Sequence, residues 1–279
     1  MNYLVAVSGG VDSVVLLDIL SKTKHHLIVA HIDHGIRPES ADDARFVEGL
    51  AKRYRLPFLS IRLELGPNAS EERARHARYE FLFAEAQKYH ATVVTAHHQN
   101  DLVETVALNL ERGTGWRGLA VLNRDGIYRP LIGVSKKQIY HYALMHHLEW
   151  VEDRTNHSMV YQRNRLRVKI QRLLDQRTIE DVVRLRLEQL QLKKAIELEA
   201  SRVSVARHGS RYFLSQLDLL TARELLGWQV HQKGHPRPTR PQLDRALHAI
   251  KTAQAGSRHE IGGGVVLVFT ARNYQIEMV

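Results

Sequence analysis

Short runs of β-forming residues alternate with segments of helical period through the first half of the chain, and runs such as YLVAV (3–7) and TVVTA (92–96) are apolar on both faces. A strand with no polar face cannot lie against water. It needs a layer of helices on each side, which is the situation of a parallel sheet in an α/β fold. Strands are therefore expected at Tyr3–Val7, Leu27–Asp33, Pro57–Leu63 and Thr92–Ala96, with a fifth near Ile127–Ile132. Between them, Val14, Leu17 and Leu20 mark one helix face, and Ala44, Val47, Leu50, Ala51 and Tyr54 mark another behind Ser40 as N-cap. Asn68 followed by Glu71 reads as a capping box opening a helix that runs through Tyr89, and Ser135 precedes one more. The expected fold is α/β, a doubly wound and mainly parallel sheet.

Past this region an amphipathic helix is expected over residues 163–174, with Leu166, Ile170, Leu173 and Leu174 on its apolar side. From about 176 the alternation stops. A long helical pattern follows, then the polar stretch KGHPRPTRPQ, a helix over Pro241–Ala253, and a tail that reads as a hairpin or paired strands. Two domains follow from this: 1–175, and a smaller, mostly helical 176–279. The net charge is +10, and more than half of it lies in the second domain. A basic balance of this kind favours an acidic partner, most commonly nucleic acid. Cysteine is absent, which excludes disulfides, thiolate catalysis and Cys-ligated zinc or iron–sulfur centres within these residues. No run of about 18 apolar residues suggests a membrane span. Met1 leads almost directly into a strand, without a basic and apolar leader. A cytoplasmic protein is expected.

The stretch SGGVDS (8–13) lies where the first strand meets the first helix, and ligands of doubly wound sheets bind at such places. Gly9 and Gly10 let the backbone approach a ligand, Ser8 and Ser13 add hydroxyls, and the helix contributes its positive end. The result suits phosphate. The turn is not the common P-loop, whose lysine is missing, nor a Gly-x-Gly-x-x-Gly dinucleotide turn. Asp12 would repel phosphates unless a cation intervened, so Asp12 implies Mg²⁺. A tight strand-to-helix turn capped by an aspartate is the plainer alternative.

This turn resembles the pyrophosphate loop of the N-type ATP pyrophosphatases, Rossmann-like PP-loop enzymes that cleave ATP between the α and β phosphates and adenylylate a substrate oxygen. Further stretches sharpen the likeness: AHIDHGIRPESADDA (30–44), SEERARHARYEF (70–81), TAHHQNDLVET (95–105), ERGTGWRGL (111–119), RPLI (129–132) and EDRTNHSMVYQRNRLR (152–167). In this order they resemble the tRNA(Ile)-lysidine synthetase family across nearly all of 1–175, and the tail resembles its short form in length and in its Gly-rich end. The resemblance implies a ligase that adenylylates the C2 oxygen of the anticodon wobble cytidine of tRNA(Ile) (CAU). The ε-amino group of free L-lysine then attacks, giving lysidine, AMP and pyrophosphate. It implies ATP held by Ser8, Gly9, Gly10, Val11, Asp12, Ser13, His31 and His97, and Mg²⁺ held by Asp12. It also implies catalytic roles for Asp12, Asp101, Glu104 and Arg78, and lysine or tRNA contacts from Asp101, Glu104, Arg163 and Arg165. A homodimer is implied as well.

Read as residues alone, Asp101 and Glu104 are three apart on a helix and can face one pocket, where they would attract an ammonium and help deprotonate it. A solvated acidic helix start is the other reading. His97 and His98 are adjacent at a strand end and point apart, which favours shaping the nucleotide site over a metal pair. His31, Asp33 and His34 are as readily structural as functional, and Arg78 as readily part of a solvated helix face. Lys136 and Lys137 sit at a helix start, where the dipole disfavours cations, so an external anion is expected beside them. Trp116 and Tyr161 could stack on a base or serve the core. Asn100 and Leu102 depart from the Asp and Gln of some family members. The rival enzyme on this fold is a tRNA thiolase, but thiolation generally draws on cysteine persulfide or an iron–sulfur cluster. A catalytically inert RNA-binding protein is the rival from another class.

Overall fold

The computed structural model describes the chain except residues 34, 36–39, 64–65, 67–69, 153–165, 171–173, 208 and 279. It divides into two compact units, Met1–Gln189 and Leu190–Val279. No described helix is long and apolar enough to cross a membrane.

The first unit is built on a five-stranded, wholly parallel sheet in the order β3-β2-β1-β4-β5. Its strands are β1 (Asn2–Ala6), β2 (His26–Asp33), β3 (Phe58–Arg62), β4 (Thr92–Val94) and β5 (Ile127–Tyr128). The helices are α1 (Val11–Ser21), α2 (Ser40–Arg53), α3 (Glu71–Lys88), α4 (Gln99–Glu111) and α5 (Lys136–Met145), with a helical stretch, α6, at 166–170. The doubly apolar strands explain the layering. On one face Val5, Val29 and Val94 pack with α1, α2 and α5 through Leu16, Val47 and Ile139. On the other, Leu4, Ala30 and Val93 pack with α3 through Tyr79, Leu82 and Ala86. Burying a Leu or Val side chain of this kind contributes about 1.5–3 kcal/mol.

Local signals moved a few boundaries. The cap of α3 is Ser70, whose Oγ accepts the Arg73 N–H at 3.2 Å, rather than Asn68, which lies outside the described residues. Ser40 opens α2 as its first helical residue. β5 stops at Tyr128, short of the expected Ile132, because Pro130 has no N–H to continue a ladder. Of the helix expected over 163–174, residues 166–170 are helical and 163–165 and 171–173 lie outside the described set.

The long helix α7 (Gln176–Arg207) begins in the first unit and continues into the second, so the division falls inside it rather than at residue 175. The second unit adds α8 (Arg211–Gln216), α9 (Leu219–Gln232) and α10 (Arg240–Thr252), then an antiparallel sheet of β6 (Arg258–Gly262), β7 (Val265–Phe269) and β8 (Tyr274–Met278). Leu226, Val230, Ile250, Leu267 and Phe269 form its core. Arg211 ties the end of α10 to the strands, donating to the carbonyls of Ile250 (2.8 Å), Ala253 (2.6 Å) and Thr270 (2.8 Å).

A buried carboxylate joins three helices of the first unit. Asp18 accepts hydrogen bonds from Lys22 Nζ (2.7 Å), Tyr54 Oη (2.8 Å) and Tyr142 Oη (2.8 Å). Burial alone would raise its pKa, but the bonds from Lys22, Tyr142 and Tyr54 outweigh burial and hold it below the ordinary value. A depressed carboxylate stabilises the fold above its unfolded-state pKa, and that contribution disappears as pH falls through the folded-state value. Asp18→Ala should therefore cost about 3 kcal/mol in urea denaturation at neutral pH. The gap between variant and parent should narrow steadily below about pH 4.

Candidate functional site

The sheet order places the topological switch between β1 and β4: the chain leaves β1 toward β2 on one side, and β4 and β5 lie on the other. In such sheets the crevice beyond the carboxyl ends at the switch is the ligand site. The segments that meet there are the turn after β1, the turn after β4 and the start of α5.

The first turn is shaped for an anion. Gly9 takes φ +92°, a conformation that strains any residue with a Cβ. Gly10 is the N-cap of α1 and offers no side chain to it. Among the described residues, the N–H groups of Gly9, Val11 and Asp12 have no hydrogen-bond partner. The serines lock the turn from within. Ser13 Oγ donates to Gly10 O (2.8 Å) and accepts the Ser8 N–H (3.2 Å), with Ser8 Oγ 3.3 Å away. Val151 N–H adds a bond to Gly9 O at 3.0 Å. Open amides at a helix start, held in place by a closed network, make a cradle of the kind that suits an anion.

The second turn begins α4. His98 is its N-cap: Nδ1 accepts the Asn100 N–H at 3.2 Å, and Asp101 Oδ2 accepts the His98 N–H at 3.0 Å. Because Nδ1 accepts, Nε2 carries the proton in the neutral ring. Nε2 lies 3.6 Å from Asp12 Oδ1 and 3.5 Å from Asp101 Oδ2, between the two acids. From α5, the Lys136 N–H donates to Asn100 Oδ1 (3.2 Å), and Lys136 Nζ reaches both oxygens of Asp12 at 2.7 and 2.8 Å. The anion beside Lys136 is thus internal, Asp12, where an external one was expected, and Lys137 is exposed.

Asp101 and Glu104 share a helix but have different surroundings. Glu104 is buried, and its oxygens accept from Arg167 Nε (2.6 Å) and Nη2 (3.2 Å). Glu104 holds the guanidinium of Arg167 above its ordinary pKa, with smaller help from Asp101 and Asp12. Asp101 keeps part of its surface exposed. Arg167 ends the quoted stretch 152–167, yet nothing in the spacing from 104 to 167 announces its pairing with Glu104. Arg163 and Arg165, like His34 and Tyr161, lie outside the described residues.

A basic cluster borders the same turn. Arg75, Arg78 and Arg124 approach the ring of Tyr79 at 5.4, 5.5 and 5.3 Å from its centroid. Burial pulls the His97 pKa down to about 3; Asp101 opposes this, and Arg129, Arg78 and Arg75 reinforce it. His97 is therefore neutral at physiological pH, with Nδ1 at 2.8 Å from Thr95 Oγ1. Beneath, Arg129 Nη1 donates to Leu122 O (3.0 Å), and Arg186 donates to Val121 O (2.9 Å) and Leu122 O (3.1 Å). His31 is buried and bonds through Nδ1 to Val7 O at 2.9 Å, supporting the cradle from behind. Asp33 caps its own turn by accepting the Gly35 N–H (2.8 Å). Trp116 is half-buried in a 3-10 turn with Arg117 over its ring at 4.5 Å.

In the second unit, a groove of about 590 Å³ runs between α10 and β6, with Arg245 and His248 on one side and Arg258 on the other. Asp244, also in its lining, is matched by Arg223 (2.5 and 2.8 Å), so the net character is basic.

Removing Arg167 would take two donated hydrogen bonds and their positive charge from a buried carboxylate. Arg167→Met should cost about 3 kcal/mol in thermal or urea unfolding, and Glu104→Gln in the same background should recover most of it.

The comparisons with known proteins agree with this geometry. A family model described as a PP-loop domain matches residues 1–174. The tRNA(Ile)-lysidine synthase of Actinobacillus pleuropneumoniae is 38% identical over 183 residues, covering 63% of this chain and 43% of that protein. That of Haemophilus ducreyi is 40% identical over 183 residues, 63% of this chain and 42% of its own length. That of Thermotoga maritima is 38% identical over 197 residues, with 65% and 48% covered. The matched region is less than half the length of each of these relatives. Among solved structures, the U34-tRNA thiolase NcsA from Methanococcus maripaludis with its [4Fe-4S] cluster aligns with a TM-score of 0.57 at 16% identity. It covers 69% of this chain and 72% of that one, a likeness of fold. A parallel sheet with its switch at β1 and β4, an SGGVDS cradle at the first strand end and a family match through residue 174 lead to one conclusion: the chain belongs to the PP-loop family.

Proposed function

We propose that the chain is a tRNA(Ile)-lysidine synthase. PP-loop membership implies the use of ATP. The observation that carries the finer reading is the identity to lysidine synthases over 183 residues, beside a PP-loop match over residues 1–174 that spans both the cradle and the Asp101 turn. In the proposed reaction the C2 oxygen of the wobble cytidine attacks the α-phosphate of ATP, the α–β bond breaks, and pyrophosphate leaves. The lysine ε-amine then attacks C2. The adenylate departs with that oxygen as AMP, and the amine loses a proton.

Each residue has a physical task in this scheme. The amides of Gly9, Val11 and Asp12 receive phosphate oxygens, and Ser8 and Ser13 hold the turn open to them. Mg²⁺ is typically held by one or two carboxylates together with substrate phosphates, and Asp12 at the cradle rim fits that role. When bound, the ion would neutralise phosphate charge. His97, being neutral, packs beside the nucleotide without adding charge. Asp101 draws the lysine ammonium and accepts its proton. Glu104 acts through Arg167, keeping that cation at the site, and Arg78 with its arginine neighbours offers partners to the lysine carboxylate or a phosphate. The α10–β6 groove takes an RNA backbone segment. A cytoplasmic location accords with a tRNA substrate. The thiolase reading is favoured by the NcsA fold alone, and the chain has no cysteine.

The test supplies α-labelled ATP, labelled lysine and a tRNA(Ile) transcript with the CAU anticodon. The proposal expects lysine incorporation into tRNA with matched release of AMP and pyrophosphate; AMP release without lysine incorporation would reject it. Asp12→Ala should lower AMP formation about 100-fold, as loss of a preorganised charge does, while tRNA affinity by filter binding stays unchanged. Arg245→Ala combined with His248→Ala should weaken tRNA binding about tenfold and flatten its salt dependence by about one phosphate contact.

A further inference from the structure

We propose that Lys136 is a polyphosphate ligand held in reserve by Asp12. In the nucleotide-free protein its ammonium fills the place of a divalent cation, and it passes to the nucleotide phosphates when a cation takes Asp12. The proposal rests on the nucleotide reading of the cradle and adds to it a residue and an exchange of partners.

Four observations converge. First, the contact is symmetric: Nζ lies 2.7 and 2.8 Å from the two oxygens of Asp12, as a small cation would sit on a carboxylate edge. Second, Lys136 is the opening residue of α5, where the helix dipole disfavours positive charge, so its placement is accounted for by what lies across the crevice rather than by its own helix. Third, the pair is partly open, with side-chain exposures of 32% for Lys136 and 29% for Asp12. Exposed pairs of this sort contribute little and separate easily. The neighbouring Arg167–Glu104 pair, whose acid side is 2% exposed, is built to stay closed. Fourth, the Lys136 backbone is pinned by Asn100 Oδ1 at the start of α4, which keeps the side chain at the cradle rim. The SGGVDS turn carries no lysine of its own. The common P-loop supplies a lysine from within the turn to the phosphates; here a lysine from another helix stands at the same place. A flexible, compact point charge suits such a transfer better than a planar guanidinium.

The competing account is a fixed tie between α1 and α5. The two differ in how metal-free nucleotide binding responds to substitution. ATP dissociation constants would be measured by calorimetry, in EDTA and in Mg²⁺, for the full chain and for Asp12→Asn, Lys136→Met and the double variant. Melting temperatures would be recorded for each. In EDTA, Asp12→Asn should tighten ATP binding about fivefold, the fold-change that corresponds to releasing one exposed ion pair. That gain should vanish when Lys136 is Met. In Mg²⁺, Lys136→Met should weaken ATP binding about tenfold. The proposal is overturned if Asp12→Asn gives the same gain with and without Lys136, which would mark a general charge effect. It is also overturned if Lys136→Met lowers the melting temperature while ATP affinity holds, which would mark a fixed tie. If the unsubstituted chain binds no ATP in Mg²⁺, the nucleotide reading itself falls, and this proposal with it.

Discussion

Three helices begin at one edge of the sheet. α1, α4 and α5 all point their N-termini into the crevice where the strand order reverses. Each helix start carries partial positive charge and unpaired N–H groups. Such a convergence is unfavourable unless anions settle among the helix ends. The protein supplies some of its own: Asp101 accepts the His98 N–H at the start of α4, and Asp12 lies between His98 and Lys136. The amides of Gly9, Val11 and Asp12 have no partner among the described residues. Cradle, capping network and basic surroundings are consequences of that single topological arrangement.

The charges differ in how firmly they are committed. Glu104 and Arg167 form a pair with one buried member, and breaking it would weaken the compensation of a desolvated charge. Asp12 and Lys136 form a pair that water can reach. His97 is discharged by burial and by the arginines around it, so it can neither donate a positive charge nor hold a second proton at neutral pH. The site thus combines a rigid framework with one exchangeable contact at its rim.

The strands and the cradle were legible in the sequence because they are local. A run that is apolar on both faces announces its layer, and glycine at position 9 announces a left-handed turn. What escaped notice depends on distance along the chain. Arg167 meets Glu104 across 63 residues, and Lys136 meets Asp12 across 124; no period or spacing encodes either. Lys136 left a trace, as a cation at the wrong end of a helix, and that trace pointed to an anion without naming it. Asp18 meets Tyr54 across 36 residues and Tyr142 across 124, again with no local signal. The division between units was hidden because α7 runs through it with no change of helical pattern.

Arg129 and Arg186 carry a further consequence. Both are buried, both donate to the carbonyl of Leu122, and burial together with their mutual repulsion lowers the pKa of Arg186. Their charge is met by neutral carbonyls and sits where mobile ions cannot gather around it. The groove on α10 is basic through side chains that stand in water. The two sets of basic residues therefore differ in screening: the field of the groove fades as ionic strength rises, and that of the buried pair persists. In the proposed function, contacts made on the groove would weaken with salt while the field of the buried pair changed little.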